Sequence, residues 1–300
     1  MKKKTYLFAL MAMALTLGSC SDNENGIGGE TSKYITVSTS IGNMTRVATD
    51  EKGGQTFEEG DEISVYAWTG DATVAPETRE RVVNNAINKL TNGSWISNPQ
   101  MLWKNNRDKH YFIGVYPISA ISDLSAGEYT FDETKQVESD LLVAVNKDGL
   151  SYNVDEQQPV PLTFTHVMAK LAVNLTYKNQ WGGIPTVEKV VVGNAAKEAT
   201  INYLTKVVTP STTAKEDFSL PEITENTKYV SVIIPQEDVK QLTIVIGGKN
   251  FVYDNGTPFK LESGKITTVN LEVGRDEIKL GDVKITNWED GSTFSGEALN

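Results

Sequence analysis

The sequence predicts an all-β fold built from antiparallel β-sandwiches, and three observations support this prediction. Many segments alternate apolar and polar residues or are rich in β-branched residues, a pattern typical of half-buried strands. Glycine, asparagine, aspartate and proline separate these segments at short intervals, as the turns of hairpins require. Helical spacing is rare, and the chain lacks the strand–helix–strand order of a parallel sheet.

The N-terminal residues 1–19 have the organisation of a secretory signal peptide. Three lysines at positions 2–4 precede an apolar run, which is shorter than the roughly 20 residues that a membrane-spanning helix needs. The sequence Leu-Gly-Ser-Cys that ends at Cys20 resembles the bacterial lipobox, in which the thiol is diacylated and the cysteine becomes the mature N terminus. The alternative is an ordinary signal peptide followed by an incidental cysteine.

Cys20 is the only cysteine in the chain, so it has no internal disulfide partner. Lipidation would leave no thiol for redox chemistry or metal binding. Residues 20–32 are polar and rich in glycine, which is typical of a flexible tether. Acidic residues directly after the cysteine resemble an export signal of some Gram-negative lineages. We therefore expect an outer-membrane protein exposed at the cell surface.

The composition argues against nucleic acid as a partner. The chain has 28 Lys and Arg residues against 39 Asp and Glu residues, a formal charge of −11. Loss of residues 1–19 would remove three lysines and no acid, which brings the formal charge to −14. Nucleic acid and anionic headgroups require clustered basic residues. We expect membrane contact through the lipid on Cys20.

The length of the chain favours two domains. A mature chain of about 280 residues exceeds what one hydrophobic core usually organises. The seam is predicted near residues 165–170, where prolines precede a new strand that begins at Leu171. The predicted domains are therefore residues 33–167 and 168–300.

The first strand of the mature chain is followed by a segment that a protease could reach. Residues 33–41 alternate strictly, and the polar, glycine-rich segment 42–57 contains one arginine, Arg46. Cleavage between Arg46 and Val47 would release the strand and leave a groove with unpaired backbone groups, which a strand from another molecule could fill. One face of this strand would carry Ile35, Val37, Thr39 and Ile41.

The C-terminal segment, residues 276–300, is a candidate for that incoming strand. Ile278 and Leu280 share one face, Val283 and Ile285 follow with the same spacing, and a glycine between the two pairs shifts the phase. The alternative is that both chain ends are ordinary strands of one closed fold.

Two stretches have some helical character. Residues 75–93 place apolar residues at helical spacing between a proline and a glycine, but a helical turn followed by an irregular strand fits them equally well. Residues 235–242 predict at most one helical turn. Neither stretch changes the expected fold class.

The inventory of catalytic and metal-binding residues is small. His110 and His166, the only two histidines, lie in or beside strands and are expected to be structural. The acidic group at 58–62 lacks the spacing of a calcium loop and is interpreted as a solvated turn. No catalytic residue, metal site or cofactor is therefore predicted. Four tryptophans could form a sugar platform, although core packing is the default: Trp68, Trp95, Trp103 and Trp181.

Several motifs in order along the chain resemble the fimbrillin family, the Mfa-like lipoprotein pilins of type V pili. They follow the lipobox and the Thr45-Arg46 pair and cover nearly the whole chain. The motifs are FEEGDEISVYAW at 57–68, LWKNNRDKHYFIGVYP at 102–117, SDLLVA at 139–144, PLTFTHVMAKLAVNL at 161–175, VIIPQ at 232–236, SGKITTVNLEV at 263–273 and VKITNWEDG at 283–291.

The resemblance implies two transthyretin-like β-sandwich domains in tandem and a structural, adhesive role in a cell-surface fimbria rather than an enzymatic one. It also implies maturation after Arg46 by an Arg-specific protease and assembly with other fimbrial subunits by donor-strand exchange. Within the resemblance, the C-terminal segment would be the donor. A different interpretation is a surface lipoprotein that binds glycans without polymerising.

Overall fold

The alternating segments of the sequence form β-strands in the computed structural model, which describes residues 34–42, 56–152 and 158–288. Within these ranges the structure has β-strands and two short 3-10 turns, at residues 78–80 and 179–181, and no α-helix. The predicted all-β fold is therefore confirmed. No helix of the described ranges is long and apolar enough to span a membrane.

The first eight strands lie before residue 167. They are β1 (Val37–Ile41), β2 (Glu62–Thr69), β3 (Arg81–Thr91), β4 (Ser94–Asn98), β5 (His110–Tyr116), β6 (Gly127–Thr130), β7 (Leu142–Leu150) and β8 (Val160–His166).

Eleven strands follow within the described part of the chain. They are β9 (Ala169–Tyr177), β10 (Val187–Ala196), β11 (Glu198–Asn202), β12 (Val207–Pro210), β13 (Lys215–Leu220), β14 (Glu222–Thr224), β15 (Lys228–Ile233), β16 (Gln241–Ile246), β17 (Lys249–Asp254), β18 (Lys265–Val273) and β19 (Ile278–Asn287).

Seven of the first eight strands form one sheet with the order β1-β8-β7-β5-β2-β3-β4. All neighbours in it are antiparallel except β1, which runs parallel to β8. The first strand of the described chain is therefore an edge strand, and β4 is the opposite edge.

The other sheets contain mostly later strands. A five-stranded sheet has the order β14-β15-β9-β18-β19, with β19 at its edge, and a four-stranded sheet has the order β13-β10-β16-β17. In a three-stranded sheet, β6 pairs with β11, so a strand from before residue 167 joins strands from after it. The division into domains at residue 167 stays a prediction.

Two hydrophobic clusters form the core. The smaller one packs residues of the seven-stranded sheet, including Val37, Val65 and Phe164, together with Ile35, which directly precedes β1. The larger one combines side chains from both halves of the chain, for example Ile113 and Val173. Burial of apolar surface, the main favourable term in folding, is therefore shared between the two halves.

The helical interpretation of residues 75–93 is wrong, and the alternative of a turn followed by an irregular strand is confirmed. Residues 78–80 form a 3-10 turn, and β3 begins directly after it. The pairing of β2 with β3 shifts register between the partners of Val83 and Ala86, and Asn85 between them has a φ of 55°. Because of this bulge, the buried residues Val83 and Ala86 are three positions apart, which is a spacing typical of a helix. Residues 235–242 contain no helical turn.

Candidate assembly surfaces at two strand edges

Strand β1 fills an apolar groove at the edge of the seven-stranded sheet. It pairs with β8 from Val37 opposite Val160 to Ile41 opposite Phe164. Ile35 and Val37 are 1% and 6% exposed and belong to the smaller core cluster. The face predicted from the alternation is thus the face that the structure buries, and these two side chains contribute about 2 kcal/mol each by burial.

The edge of β1 that faces away from β8 contacts the segment around β4. The backbone N–H of Ile35 donates to the carbonyl of Met101 at 3.0 Å, and Trp95 Nε1–H donates to Thr39 Oγ1 at 3.0 Å. A cavity of about 690 Å³ lies beside β1 and is lined by residues 36–41, 56–57, 90, 93–96 and 159. Strand β1 therefore has a full ladder on one side and scattered contacts on the other.

Aromatic rings form one wall of this groove independently of β1. The ring of Phe57 contacts Trp95, Tyr116 and Phe164 edge-on, with centroid distances of 5.3, 5.4 and 5.1 Å. Edge-to-face aromatic pairs of this kind stabilise beyond the area that they bury.

Strand β19 is the exposed edge of the five-stranded sheet. It pairs antiparallel with β18, and the register shifts at Gly281, which is the extra residue of a bulge. Directly opposite residues on antiparallel strands point to the same face, so the bulge places four apolar residues of β19 beside the buried row of β18. The pairs are Val273 with Ile278, Leu271 with Leu280, Val269 with Val283, and Thr267 with Ile285.

The apolar row of β19 is nevertheless poorly covered. Leu280, Val283 and Ile285 are 37%, 39% and 40% exposed, whereas Val269 and Leu271 of β18 are at most 1% exposed. Only Ile278 packs against the core. The strand therefore extends the sheet beyond the layer that covers its neighbour and is held mainly by its backbone ladder. The opposite face is charged, with Lys279, Asp282 and Lys284.

One residue fastens the C-terminal end of β19. Trp288 is 2% exposed, and its ring stacks on His166 at a centroid distance of 4.2 Å and an interplanar angle of 8°. Lys170 Nζ lies 4.2 Å from the centre of the same ring, and the backbone N–H of Trp288 donates to the Gly264 carbonyl at 3.0 Å. We call His166, Lys170 and Trp288 the tryptophan clamp.

The clamp is buried and lies beside a carboxylate, that of Asp140. His166 Nδ1 is 2.7 Å from Asp140 Oδ1, and Lys170 is 2% exposed. Burial lowers the pKa of Lys170 to about 8, against an opposing effect of Asp140 and with a smaller contribution from Lys228. Desolvation outweighs the nearby carboxylate here, so the folded state disfavours the ammonium form.

The sequence reasoning missed this clamp. His166 was expected to be structural, which its contacts support, but Lys170 and Trp288 carried no expectation. The available signal was an apolar strand that ends in a tryptophan, combined with a lysine inside a buried strand, a position where lysine is rare.

The four tryptophans considered for a sugar platform do not form an exposed row. Trp68 is 2% exposed, and Trp95 bonds to β1 as described. Trp181 Nε1–H donates to the Val273 carbonyl at 2.9 Å, and Trp103 packs edge-on against His110 at 4.9 Å. These contacts support the interpretation as packing residues for Trp68, Trp95 and Trp181, whereas Trp103 is half-buried and also lines a cleft.

The remaining predicted features have local structural contacts. His110 Nε2 accepts the backbone N–H of Lys104 at 3.1 Å. Asp61 Oδ2 accepts the backbone N–H of Glu58 at 2.7 Å, which closes the acidic turn. Within the described ranges no group of three or more His, Cys, Asp or Glu side chains is arranged to hold a metal ion.

The lipidation and cleavage residues, Cys20, Arg46 and Val47, lie outside the described residues, as does the end of the tail at 289–300. The donor candidates are described and share one face of β19, and β1 lies at the edge of another sheet. Their roles as donor and replaceable strand stay predictions.

The fold, with edge strands at both ends of the described chain, is that of the β-sandwich proteins. The sequence model of the family described as fimbrillin-like matches residues 45–288. The chain therefore belongs to the fimbrillin-like family, whose members are fimbrial and cell adhesion subunits.

Individual relatives agree with this assignment. A protein named "Putative fimbrium subunit Fim1C", from Bacteroides uniformis, is 24% identical over 316 residues, which cover 97% of each chain. The solved structure of a "putative cell adhesion protein" from Bacteroides uniformis has a TM-score of 0.63 at 19% identity and covers 86% of this chain and 100% of that one.

A more distant structure shares the fold. The tip fimbrial protein Mfa3 of Porphyromonas gingivalis, with a C-terminal truncation, has a TM-score of 0.50 at 11% identity and covers 77% of this chain and 95% of that one. At such identities the likeness shows a common fold.

Replacing Trp288 with alanine should free the end of β19. The loss of a buried indole typically costs about 3–5 kcal/mol of unfolding free energy. Hydrogen exchange should show the amides of 278–287 opening first, while β15 stays protected. The control is Val283→Ala, which replaces an exposed residue of β19 and should lower the unfolding free energy by less than about 0.5 kcal/mol. Unchanged protection of β19 in Trp288→Ala would show that the ladder alone holds the strand.

The buried lysine should make stability depend on pH. Between pH 8 and about 9.5 the unfolded chain keeps the proton on Lys170 and the folded chain loses it, so Lys170 should contribute a rise of about 1.5 kcal/mol to the unfolding free energy. Tyrosines whose pKa burial raises, such as Tyr66 and Tyr116, act in the opposite direction in both proteins, so the measured quantity is the difference between the unmodified protein and Lys170→Met. Urea titrations at the two pH values should give a change that is about 1.5 kcal/mol lower in Lys170→Met. An equal change in both proteins would contradict the assignment.

Proposed function

We propose that this protein is a fimbrial subunit that is exported as a lipoprotein and polymerises by strand exchange. The observation that carries the proposal is the position of β1: it is an edge strand, it lies in an apolar groove, and the chain continues from it into the segment that contains Arg46. A neighbouring subunit would fill the groove after β1 is released. The family assignment supports the fimbrial role.

Lipidation at Cys20 would deliver the chain to the outer membrane and the cell surface. The support is the lipobox-like sequence after the signal peptide and the acidic, polar residues that follow it. Two acyl chains anchor a protein stably, whereas one gives only reversible binding. The tether at 20–32 would then keep the folded part away from the membrane until cleavage.

Cleavage after Arg46 would separate β1 from the rest of the chain. The support is positional: Arg46 stands between the end of β1 at Ile41 and Phe57, the aromatic residue at the groove wall. The family match begins at residue 45, next to the proposed cleavage point. An Arg-specific protease is the enzyme that this step requires.

Strand β19 is the candidate donor. Its apolar row is only partly covered: Ile278 packs against the core, and Leu280, Val283 and Ile285 are 37%, 39% and 40% exposed, so its release would cost less side-chain burial than that of a core strand. Leu280 and Val283 are three residues apart, so the bulge at Gly281 must persist if all four side chains are to enter a groove. The release also requires Trp288 to leave its clamp. The partners would be copies of this chain or related fimbrial subunits.

The non-polymerising glycan-binding lipoprotein remains the alternative function. It would be favoured by an exposed row of tryptophans on one sheet face, and the described tryptophans are packed instead. The strand-exchange proposal is therefore the better supported of the two.

Replacing Arg46 with alanine should leave a folded lipoprotein that stays monomeric, because β1 remains covalently attached and in its groove. Mild gel electrophoresis of cell extracts should show a ladder for the unmodified protein and a single band for Arg46→Ala. The matched control is Arg107→Ala, an exposed arginine elsewhere, which should give a normal ladder. A ladder from Arg46→Ala would refute the cleavage step.

A charge in the apolar row of β19 should block donation. Ile285→Asp places a carboxylate that would have to be buried in the acceptor groove, at a cost of several kcal/mol, whereas Ile285 is 40% exposed in the monomer. We expect the melting temperature to change little and polymer to be absent. Lys284→Asp, on the opposite face, should polymerise. Normal polymer from Ile285→Asp would exclude β19 as the donor.

A further inference from the structure

A cleft distinct from both strand edges is lined by an unusual combination of side chains. Its volume is about 780 Å³, within the range of small-molecule sites, and it lies between the segment 68–82 and residues 102–104. Three cationic side chains line it, Arg79, Arg81 and Lys104, in a protein with a formal charge of −11. We call it the basic cleft.

The lining has three cationic residues against two acidic ones, and both acidic residues accept hydrogen bonds from within the chain. Asp71 Oδ1 accepts hydrogen bonds from the backbone N–H and the hydroxyl of Thr73, both at 2.7 Å. Glu80 Oε2 accepts the backbone N–H of Glu77 at 3.0 Å. The carboxylate that does pair with a cleft cation is Glu77, which is 2.8 Å from Arg79 and lies outside the lining.

Arg81 is the most unusual of the cations. It is 8% exposed, and its Nη atoms donate to Asn84 Oδ1 and to the carbonyls of Ile121 and Ser122 at 2.6–2.9 Å. Among the described residues no carboxylate lies within 4.0 Å of it, and its buried Nε has no hydrogen-bond partner. Burial lowers the pKa of Arg81, and Tyr66 and Asp123 oppose that effect only in part, so an anion in the cleft would reduce the remaining cost of burying the charge.

Lys104 provides the accessible charge. Its side chain is exposed, and Nζ donates to Thr69 Oγ1 at 3.1 Å. No carboxylate of the described chain lies within 4.0 Å of this ammonium. An anion in the cleft would therefore meet an exposed ammonium with no paired carboxylate in the described chain, and a buried guanidinium whose desolvation Asp123 offsets only in part.

The rest of the lining is apolar and aromatic. Trp103 is half-buried, and Val74 and Leu102 are 59% and 49% exposed at the rim. An indole ring beside hydrogen-bonding groups suits the apolar faces of a sugar ring, and the cations suit a carboxylate on the same ring. The side chains thus fit a ligand that combines a ring with a negative charge.

We propose that the basic cleft binds a carboxylate-bearing saccharide, with Lys104 and Arg81 facing the carboxylate and Trp103 contacting the sugar ring. The site would give a surface subunit an adhesive specificity. It requires neither cleavage nor strand exchange, so it stands independently of the assembly proposal.

Binding is tested by calorimetric titration of the full chain that carries Arg46→Ala, with a galacturonate trisaccharide as the probe. The galactose trisaccharide is the neutral comparison, and an acidic peptide of equal charge is the second. We expect saturable binding of the acidic sugar that weakens with salt and at least tenfold weaker binding of the neutral sugar.

Two variants locate the site. Lys104→Gln should weaken binding at least tenfold, whereas Lys109→Gln, an exposed lysine outside the cleft, should leave it unchanged. Absence of binding, equal binding of the neutral sugar, tighter binding of the peptide, or equal effects of the two variants would each overturn the proposal. Polymer formation by the unmodified chain is read on a gel, so failure of one proposal is distinguishable from failure of the other.

Discussion

The ladder between β1 and β8 is the interaction on which the account of assembly depends. It joins a short edge strand to β8, whose apolar row of Val160, Leu162 and Phe164 would otherwise lack a strand on the side away from β7. The strand adds the side chains of Ile35 and Val37 to the core cluster, and burial of such side chains typically contributes a few kcal/mol together. A replacement strand with a longer apolar row could therefore exceed what β1 provides.

The C-terminal end of the described chain is held by different interactions. Strand β19 forms a ladder of nine residue pairs with β18, yet most of its side chains stay exposed, and its C-terminal end is fixed by the tryptophan clamp. Release of β19 therefore has two separate costs: the backbone ladder, which a new partner can restore, and the extraction of Trp288. The clamp joins β19 to His166 at the end of β8, the strand that also holds β1. One strand thus contacts both ends of the described chain.

The sequence predicted the parts of this fold that depend on local pattern. Alternation in residues 33–41 predicted which face of β1 is buried, and the glycine in the C-terminal segment predicted the phase shift that the structure has at Gly281. The stretch 75–93 remained ambiguous because of the bulge at Asn85. Buried residues of a regular strand are two positions apart, whereas the bulge places Val83 and Ala86 three positions apart, as in a helix. The clamp could not be predicted, since Trp288 meets residues more than a hundred positions earlier, and single-sequence patterns carry no such distances. The basic cleft was missed for the same reason, because Arg81 and Lys104 lie on segments that only folding brings together.

The central claim, that β1 must leave its groove, is tested most directly by a disulfide that holds it there. Ser40 Oγ and Thr163 Oγ1 are 3.2 Å apart on directly paired residues of β1 and β8, so Ser40→Cys with Thr163→Cys can join the strands. The account predicts that the oxidised protein, even after cleavage at Arg46, stays monomeric, and that a reducing agent restores polymer growth. Polymer that forms with the crosslink intact would contradict it.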